Sequence, residues 1–141
     1  MPDPKTPSRL AQAAPLLAGA RATRHWRVIS LLLFVVVMVL ALMPQVPTEF
    51  STGWDKLNHA LAFCALAFAW RLGFPGGGWR WVQLGVALLA TGGAIEIVQQ
   101  FVPGRQADWA DLLADAIGAG IGMSMVATVE WLVRPAAARL R

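Results

Sequence analysis

Charge is scarce in this chain of 141 residues, and so is cysteine. Only 14% of the residues are Asp, Glu, Lys or Arg, where an ordinary soluble domain carries roughly 25%. That deficit excludes a conventional solvated surface over much of the length. The single cysteine, Cys64, excludes a disulfide within one chain and reads as a small buried hydrophobe. Tyr is absent, while Trp occurs seven times. There is no HExxH pair, no nucleophilic Ser or Cys motif and no phosphate-cradling glycine loop. No internal repeat is visible either, which removes the solenoid folds.

What the chain does have is apolar residues, 57% of the total. They fall in four blocks: Val28–Met43, Leu57–Trp70, Trp81–Ile95 (continuing past Glu96 to Val102) and Leu112–Val133. A bilayer core about 30 Å thick needs roughly 20 helical residues. The third and fourth blocks meet this length. The first, interrupted by Ser30, and the second, which includes Asn58 and His59, are extended by Trp26, Arg27, Trp70 and Arg71, side chains that anchor or snorkel at an interface. The pattern predicts an all-α membrane protein, a four-transmembrane-helix bundle with spans at about 26–45, 55–73, 79–102 and 109–133. Residues 25–134 are expected to form this one domain, with a mobile basic cytoplasmic tail at 1–24 and a short basic one at 135–141. The first block has a long basic leader, and Ala41-Leu42-Met43 is no small-x-small cleavage site, so an uncleaved span is expected.

Charge sets the orientation. If the N-terminus is cytoplasmic, all of the twelve Lys and Arg except Lys56 and Arg105 lie on the inner side. The positive-inside rule therefore predicts cytoplasmic N and C termini. Trp26, Trp70, Trp79, Trp81 and Trp131 then mark the inner boundary, and Trp54 and Trp109 the outer one. The net charge of +4 follows from orientation and anionic headgroups, and gives no reason to expect a nucleic-acid partner.

Within this frame several polar side chains share the outer end of three stretches. Asp55, Lys56 and His59 open the second, Glu96, Gln99 and Gln100 close the third, and Asp111 and Asp115 open the fourth. Arg105 lies in the link between the last two. Ionisable groups in apolar spans are costly and mark functional sites by default. Asp55 and His59 are one turn apart, as are Asp111 and Asp115, so each pair shares a helix face. Continuing the Asp111/Asp115 face gives Gly118 and Gly122, a small-xxx-small seam that directs the carboxylates into the bundle. The outer layer holds Glu49, Asp55, Glu96, Asp108, Asp111 and Asp115 against only Lys56 and Arg105. Such a layer holds protons, binds a cation or receives a cationic group. The alternative is a structural ion network in which Lys56 and Arg105 neutralise the carboxylates.

At these residues the chain resembles the VanZ-like family of small bacterial integral membrane proteins. The resemblance rests on Asp55-Lys56-x-x-His59, Glu96-x-x-Gln99, Pro103-Gly104-Arg105, then Asp111, position 115, Gly118 and Gly122, and it covers roughly residues 28–133. Asp115 departs from the pattern, since many members carry Asn there. The resemblance implies a multi-pass protein of the bacterial cytoplasmic membrane. The family takes its name from a member associated with low-level teicoplanin resistance, and no general chemical activity is established for it.

Three functional classes remain. The first is a binding or envelope-modifying protein whose outward acidic site engages membrane lipids, a lipid-linked cell-wall precursor or a lipoglycopeptide, with Asp55, Lys56, Gln99, Gln100, Arg105 and Asp115 as binding residues. Arg105 suits phosphate or carboxylate through its planar fork. The second is a hydrolase or transferase using His59, Glu96 and Asp111 as catalytic groups. No organic cofactor is implied, and one His with several carboxylates can coordinate a divalent cation without the sequence fixing ligand count or geometry. The third, proton relay or transport, is disfavoured because ionisable groups stop in the outer half. The sequence fixes no oligomeric state.

Overall fold

The computed structural model describes residues 20–44 and 54–133. They form four helices: α1 (Ala20–Leu42), α2 (Asp55–Gly73), α3 (Gly78–Gln99) and α4 (Trp109–Val133). No strand occurs among the described residues. Residues 1–19 of the tail expected at 1–24, the tail expected at 135–141, and Glu49 lie outside them. α1 starts at Ala20, inside the segment expected to be a mobile tail. Its Ala and Arg residues favour helix, so the helix runs on beyond the apolar block. It ends at Leu42, two residues before Pro44, whose ring disfavours helical geometry in the residue ahead of it. α3 stops at Gln99, short of the expected 102. Turn bonds from Phe101 to Val98, Val102 to Gln99 and Arg105 to Val102 replace the helical ladder there, and Gly104 takes φ +81°. The imino residue Pro103 cannot donate to a continuing helix, and the positive φ is one that glycine adopts without strain.

By length and composition α1, α3 and α4 can cross a membrane. The 22 residues of α1 counted from Arg21 make about 33 Å at 1.5 Å per residue, close to the thickness of a hydrocarbon core. α2 is not among these three. It has 19 residues and carries Asp55, Lys56 and Arg71 at its ends.

α2 and α4 run parallel and touch through backbone. A Cβ added to Gly118 would collide with the Ala60 carbonyl, and one added to Gly122 with the Cys64 carbonyl. These two glycines let the helices approach as closely as small-xxx-small packing allows. Phe63, Leu66 and Ala67 of α2, Leu84, Leu88 and Ile95 of α3 and Ala119 of α4 form the buried core. Leu33, Phe34, Val37, Met38 and Ala41 of α1 lie against it. Away from the core, Leu31, Leu32, Val35, Val36 and Val39 of α1 stay exposed, as do Val82, Val86 and Leu89 of α3 and Ile117, Ile121 and Met125 of α4. Apolar surface of that extent on three sides suits a lipid environment. Trp54 and Trp109 are exposed at one end of the bundle and Trp79 and Trp131 at the other.

The second end is clipped by cations. Arg27 Nε donates to the Gly73 carbonyl at 2.8 Å, satisfying a group the end of α2 leaves open. Buried Arg71 pairs with Glu130 near the end of α4 at 2.8 Å and stacks over Trp81, 4.5 Å from the ring centre.

Candidate functional site

The glycine seam places the polar layer. His59 directly precedes Ala60, and Asp115 lies one turn before Gly118, so backbone contact between Ala60 and Gly118 brings the two side chains face to face. His59 Nδ1 donates to Asp115 Oδ1 at 2.9 Å, with both residues buried. α3 completes the enclosure. A Cβ on Gly92 would stand 2.5 Å from Asp115 Oδ2 and 3.0 Å from Leu112 Cδ1, so this glycine makes room for the carboxylate. Gly92, Glu96 and Gln99 follow one another at helical spacing and all three are buried.

Glu96, 1% exposed, accepts a 2.8 Å bond at Oε2 from the backbone N–H of Asp108. Asp108 also caps α4, its Oδ1 accepting from the Ala110 N–H at 2.9 Å. Its Oδ2 accepts from Lys56 Nζ at 2.7 Å. The Lys56 ammonium, helped by the Ala110 N–H, holds the Asp108 carboxyl below the ordinary carboxylate range. Asp108 therefore ties α2, α3 and α4 together. Lys56 stands 3.5 Å from Asp111 Oδ1 as well, near enough for Coulomb attraction but outside hydrogen-bond geometry.

Arg105 and Gln99 serve α1. Gln99 Nε2 donates to the Ala41 carbonyl at 2.9 Å. Arg105 donates to Ala41 through Nε and Nη2, at 3.3 and 3.2 Å, and to Leu40 at 3.4 Å. These carbonyls belong to the last turn of α1, where helical partners run out and a cation is favoured by the dipole. Among the described residues, the nearest carboxylate contact of Arg105 is Asp55 Oδ1 at 3.9 Å. Arg105 thus clips the connection between α3 and α4 onto α1. Its guanidinium is largely spent on carbonyls, which alters its expected role as a ligand-facing fork and as neutraliser of Glu96, Asp111 and Asp115. Gln100 follows the end of α3 and is exposed, unlike buried Glu96 and Gln99.

The accounting of donors is therefore incomplete. Glu96 Oε1, Asp111 Oδ1 and Asp115 Oδ2 are buried and have no hydrogen-bond partner among the described residues. Asp111 and Asp115 are 2% and 0% exposed. Asp55, His59 and Asp111 each bring one ligand-capable atom within 4.8 Å of the other two, and could hold a metal ion. Below this layer the hydroxyls of Thr91, Ser124 and Thr128 donate to carbonyls of their own helices, at 2.9, 2.7 and 2.9 Å. Sequence reasoning did not single out Gly92 or the linking role of Asp108. Gly92 lies four residues before Glu96 on one helix face, a signal that could have identified it.

The family model described as VanZ/LLP1 matches residues 14–130, most of the chain and all of this layer. The chain belongs to the VanZ/LLP1 family. No curated protein and no solved structure matches it significantly. For this VanZ/LLP1 protein the chemistry of the site has to be argued from its own side chains.

Proposed function

We propose that this protein spans a bacterial cytoplasmic membrane four times, and that its polar layer faces outward. There it binds or modifies the headgroup of a cell-envelope lipid or lipid-linked precursor. The observation that carries this reading is the set of three buried carboxylate oxygens without a hydrogen-bond partner among the described residues. Leaving a buried polar group unsatisfied costs about 1–3 kcal/mol, so three such groups are a large fraction of the ~5–15 kcal/mol that holds a domain together. A ligand rich in N–H and O–H donors relieves that cost. The sugar, peptide and amine groups of a wall precursor are of this kind, and its lipid tail matches the exposed apolar helix faces. A lipoglycopeptide offers the same donors beside an acyl chain, which is the sense in which the family's resistance link bears on this chain.

Support for α2 as the fourth span comes from its partners. Its first turn pairs with Asp108 at the start of α4, and its last turn with Glu130 near the end of α4. A helix matched to both ends of a spanning neighbour spans with it. The distribution of Lys and Arg favours cytoplasmic termini and puts the polar layer on the opposite side.

The test is binding of a lipid-linked wall precursor to the full chain in nanodiscs. Glu96→Gln and Asp111→Asn are each expected to weaken capture at least about tenfold, the loss of one charge-assisted hydrogen bond. Wild-type affinity in both variants would remove the layer from recognition. A second reading, hydrolysis or group transfer on the same substrate, is favoured by the His59–Asp115 pair, a base held by an orienting carboxylate. In that case His59→Gln abolishes product seen by mass spectrometry while precursor capture persists. Without product from the wild type, this reading fails.

A further inference from the structure

We infer that Asp55, His59 and Asp111 form a site for one divalent transition-metal ion of the Mn²⁺ or Zn²⁺ kind, with Asp115 as the residue that positions the imidazole. The three residues come from two helices that the Gly118/Gly122 seam locks together, and their ligand-capable atoms already lie within 4.8 Å of one another. Ligand atoms about 2.1 Å from a shared ion are roughly 3.4 Å apart at a tetrahedral angle. Inward movement of about an ångström by side chains closes the site. Exposed Asp55 has the freedom to make that movement.

Acidic residues near one another are common without an ion. Two further observations set this group apart. Asp111 is 2% exposed, and its Oδ1 lacks a hydrogen-bond partner among the described residues, so it is held out of water with only the Lys56 ammonium 3.5 Å away as a counter-charge. His59 has its Nδ1–H committed to a fully buried carboxylate, which leaves Nε2 as the nitrogen with a lone pair. A carboxylate behind a histidine is the usual arrangement around a ligating imidazole, because it fixes the ring and raises its basicity. One nitrogen with two carboxylates selects against Mg²⁺ and Ca²⁺, which favour all-oxygen sets, and towards Mn²⁺ or Zn²⁺. Lys56 Nζ, 3.5 Å from Asp111 Oδ1, is the resident competing cation. It is half-exposed and bound more closely to Asp108, so it can yield.

This site occupies the layer proposed to receive the envelope lipid, and the two readings fail separately. Ion binding is measured on the full chain in detergent with no envelope lipid present, by titrating Mn²⁺ and following the free-ion electron paramagnetic resonance signal, with Zn²⁺ as competitor. The expected result is one Mn²⁺ per chain, displaced by Zn²⁺ and not by excess Mg²⁺. Asp55→Asn should weaken it about tenfold or more, and Asp115→Asn, acting through His59, by about 10- to 100-fold. Asp108→Asn frees Lys56 to turn to Asp111 and should not tighten binding. Lys56→Met removes the competing cation and should tighten binding several-fold, a gain that an unfolded variant does not produce. Absence of stoichiometric Mn²⁺ or Zn²⁺ in the wild type overturns the inference. So does an unchanged affinity in Asp55→Asn, an exposed position where misfolding is not at issue.

Discussion

Gly118→Ala adds one methyl group at the point that positions the site. The new Cβ would lie 2.7 Å from the Ala60 carbonyl carbon and 2.8 Å from its Cα, and closer still to the oxygen, whereas ordinary contacts begin at 3.4 Å. All three atoms are backbone, so no rotamer change relieves the clash. α2 and α4 must separate by at least about 0.7 Å at this level, the gap between those contacts and an ordinary one. His59 and Asp115 flank that contact, and an equal stretch carries their 2.9 Å bond beyond the range of a hydrogen bond, about 3.5 Å. Overpacking costs about 1–3 kcal/mol, and losing a buried bond to a charged group about 1.5–3 kcal/mol. The expected loss is therefore about 2.5–6 kcal/mol, or a fall of roughly 8–20 °C in the unfolding midpoint of a chain this size. Gly120→Ala is the matched control. It lies two residues away on α4, and its added Cβ meets nothing within 4 Å, so the higher helix propensity of Ala should raise stability by up to about 1 kcal/mol. Thermal unfolding of both variants in one detergent measures the difference. Equal midpoints would refute the claim that backbone contact at Gly118 sets the spacing of the layer.

Gly92→Ala should also destabilise, by about 1–3 kcal/mol, because its Cβ meets Asp115 Oδ2. Combined with Asp115→Ala, it should lose much of that extra cost in a double-mutant cycle, and strict additivity would show that the two do not touch. Arg105→Ala removes three contacts to the last turn of α1 and should lower stability by about 1–3 kcal/mol. Lost precursor capture at unchanged stability would return Arg105 to a ligand role. Asp108 has a lowered pKa in the fold, so its contribution is complete above the unfolded carboxylate value near 3.9 and fades as pH falls through the lower folded value. Asp108→Asn should flatten the acid limb of the melting profile below about pH 4 and leave the neutral midpoint little changed, since the Lys56 pair is solvent-exposed. A neutral-pH collapse in that variant would instead mean that Asp108 carries the loop structurally.

The helices were legible because apolar block length and Trp position constrain them independently. Their ends were less so. α1 continues through Arg21 and Arg24 because polarity limits a membrane span but not a helix, and α3 stops before Gln100 because turn bonds around Pro103 and Gly104 replace the ladder. Within the site, spacing of four placed Asp111 and Asp115 on one face, and both are buried. Gln100, four residues after Glu96, lies just past the end of α3 and is exposed, a difference that spacing alone does not show. Arg105 misled for another reason. Its partners are backbone carbonyls 64 and 65 residues away, and a sequence displays charges but not which carbonyls a helix end leaves open. Counting carboxylates against cations could not reveal that one of the two cations is diverted to α1.

That diversion bears on whether the layer is an ion network or a receptive site. In a structural network the donors would go to the buried carboxylates, because those groups are the costliest to leave bare. Here they do so only in part: His59 reaches Asp115 Oδ1, and most of the remaining donors go elsewhere. Arg105 and Gln99 donate to the end of α1, Lys56 to exposed Asp108, and the Asp108 N–H supplies Glu96 with a single bond. Helix ends and links take most of the available donors, while three oxygens deep in the layer have no hydrogen-bond partner among the described residues. The fold therefore separates the groups that hold the layer in place from those left to be satisfied. An acceptor set kept rigid and unsatisfied is what a site needs when its donors or its cation arrive from outside.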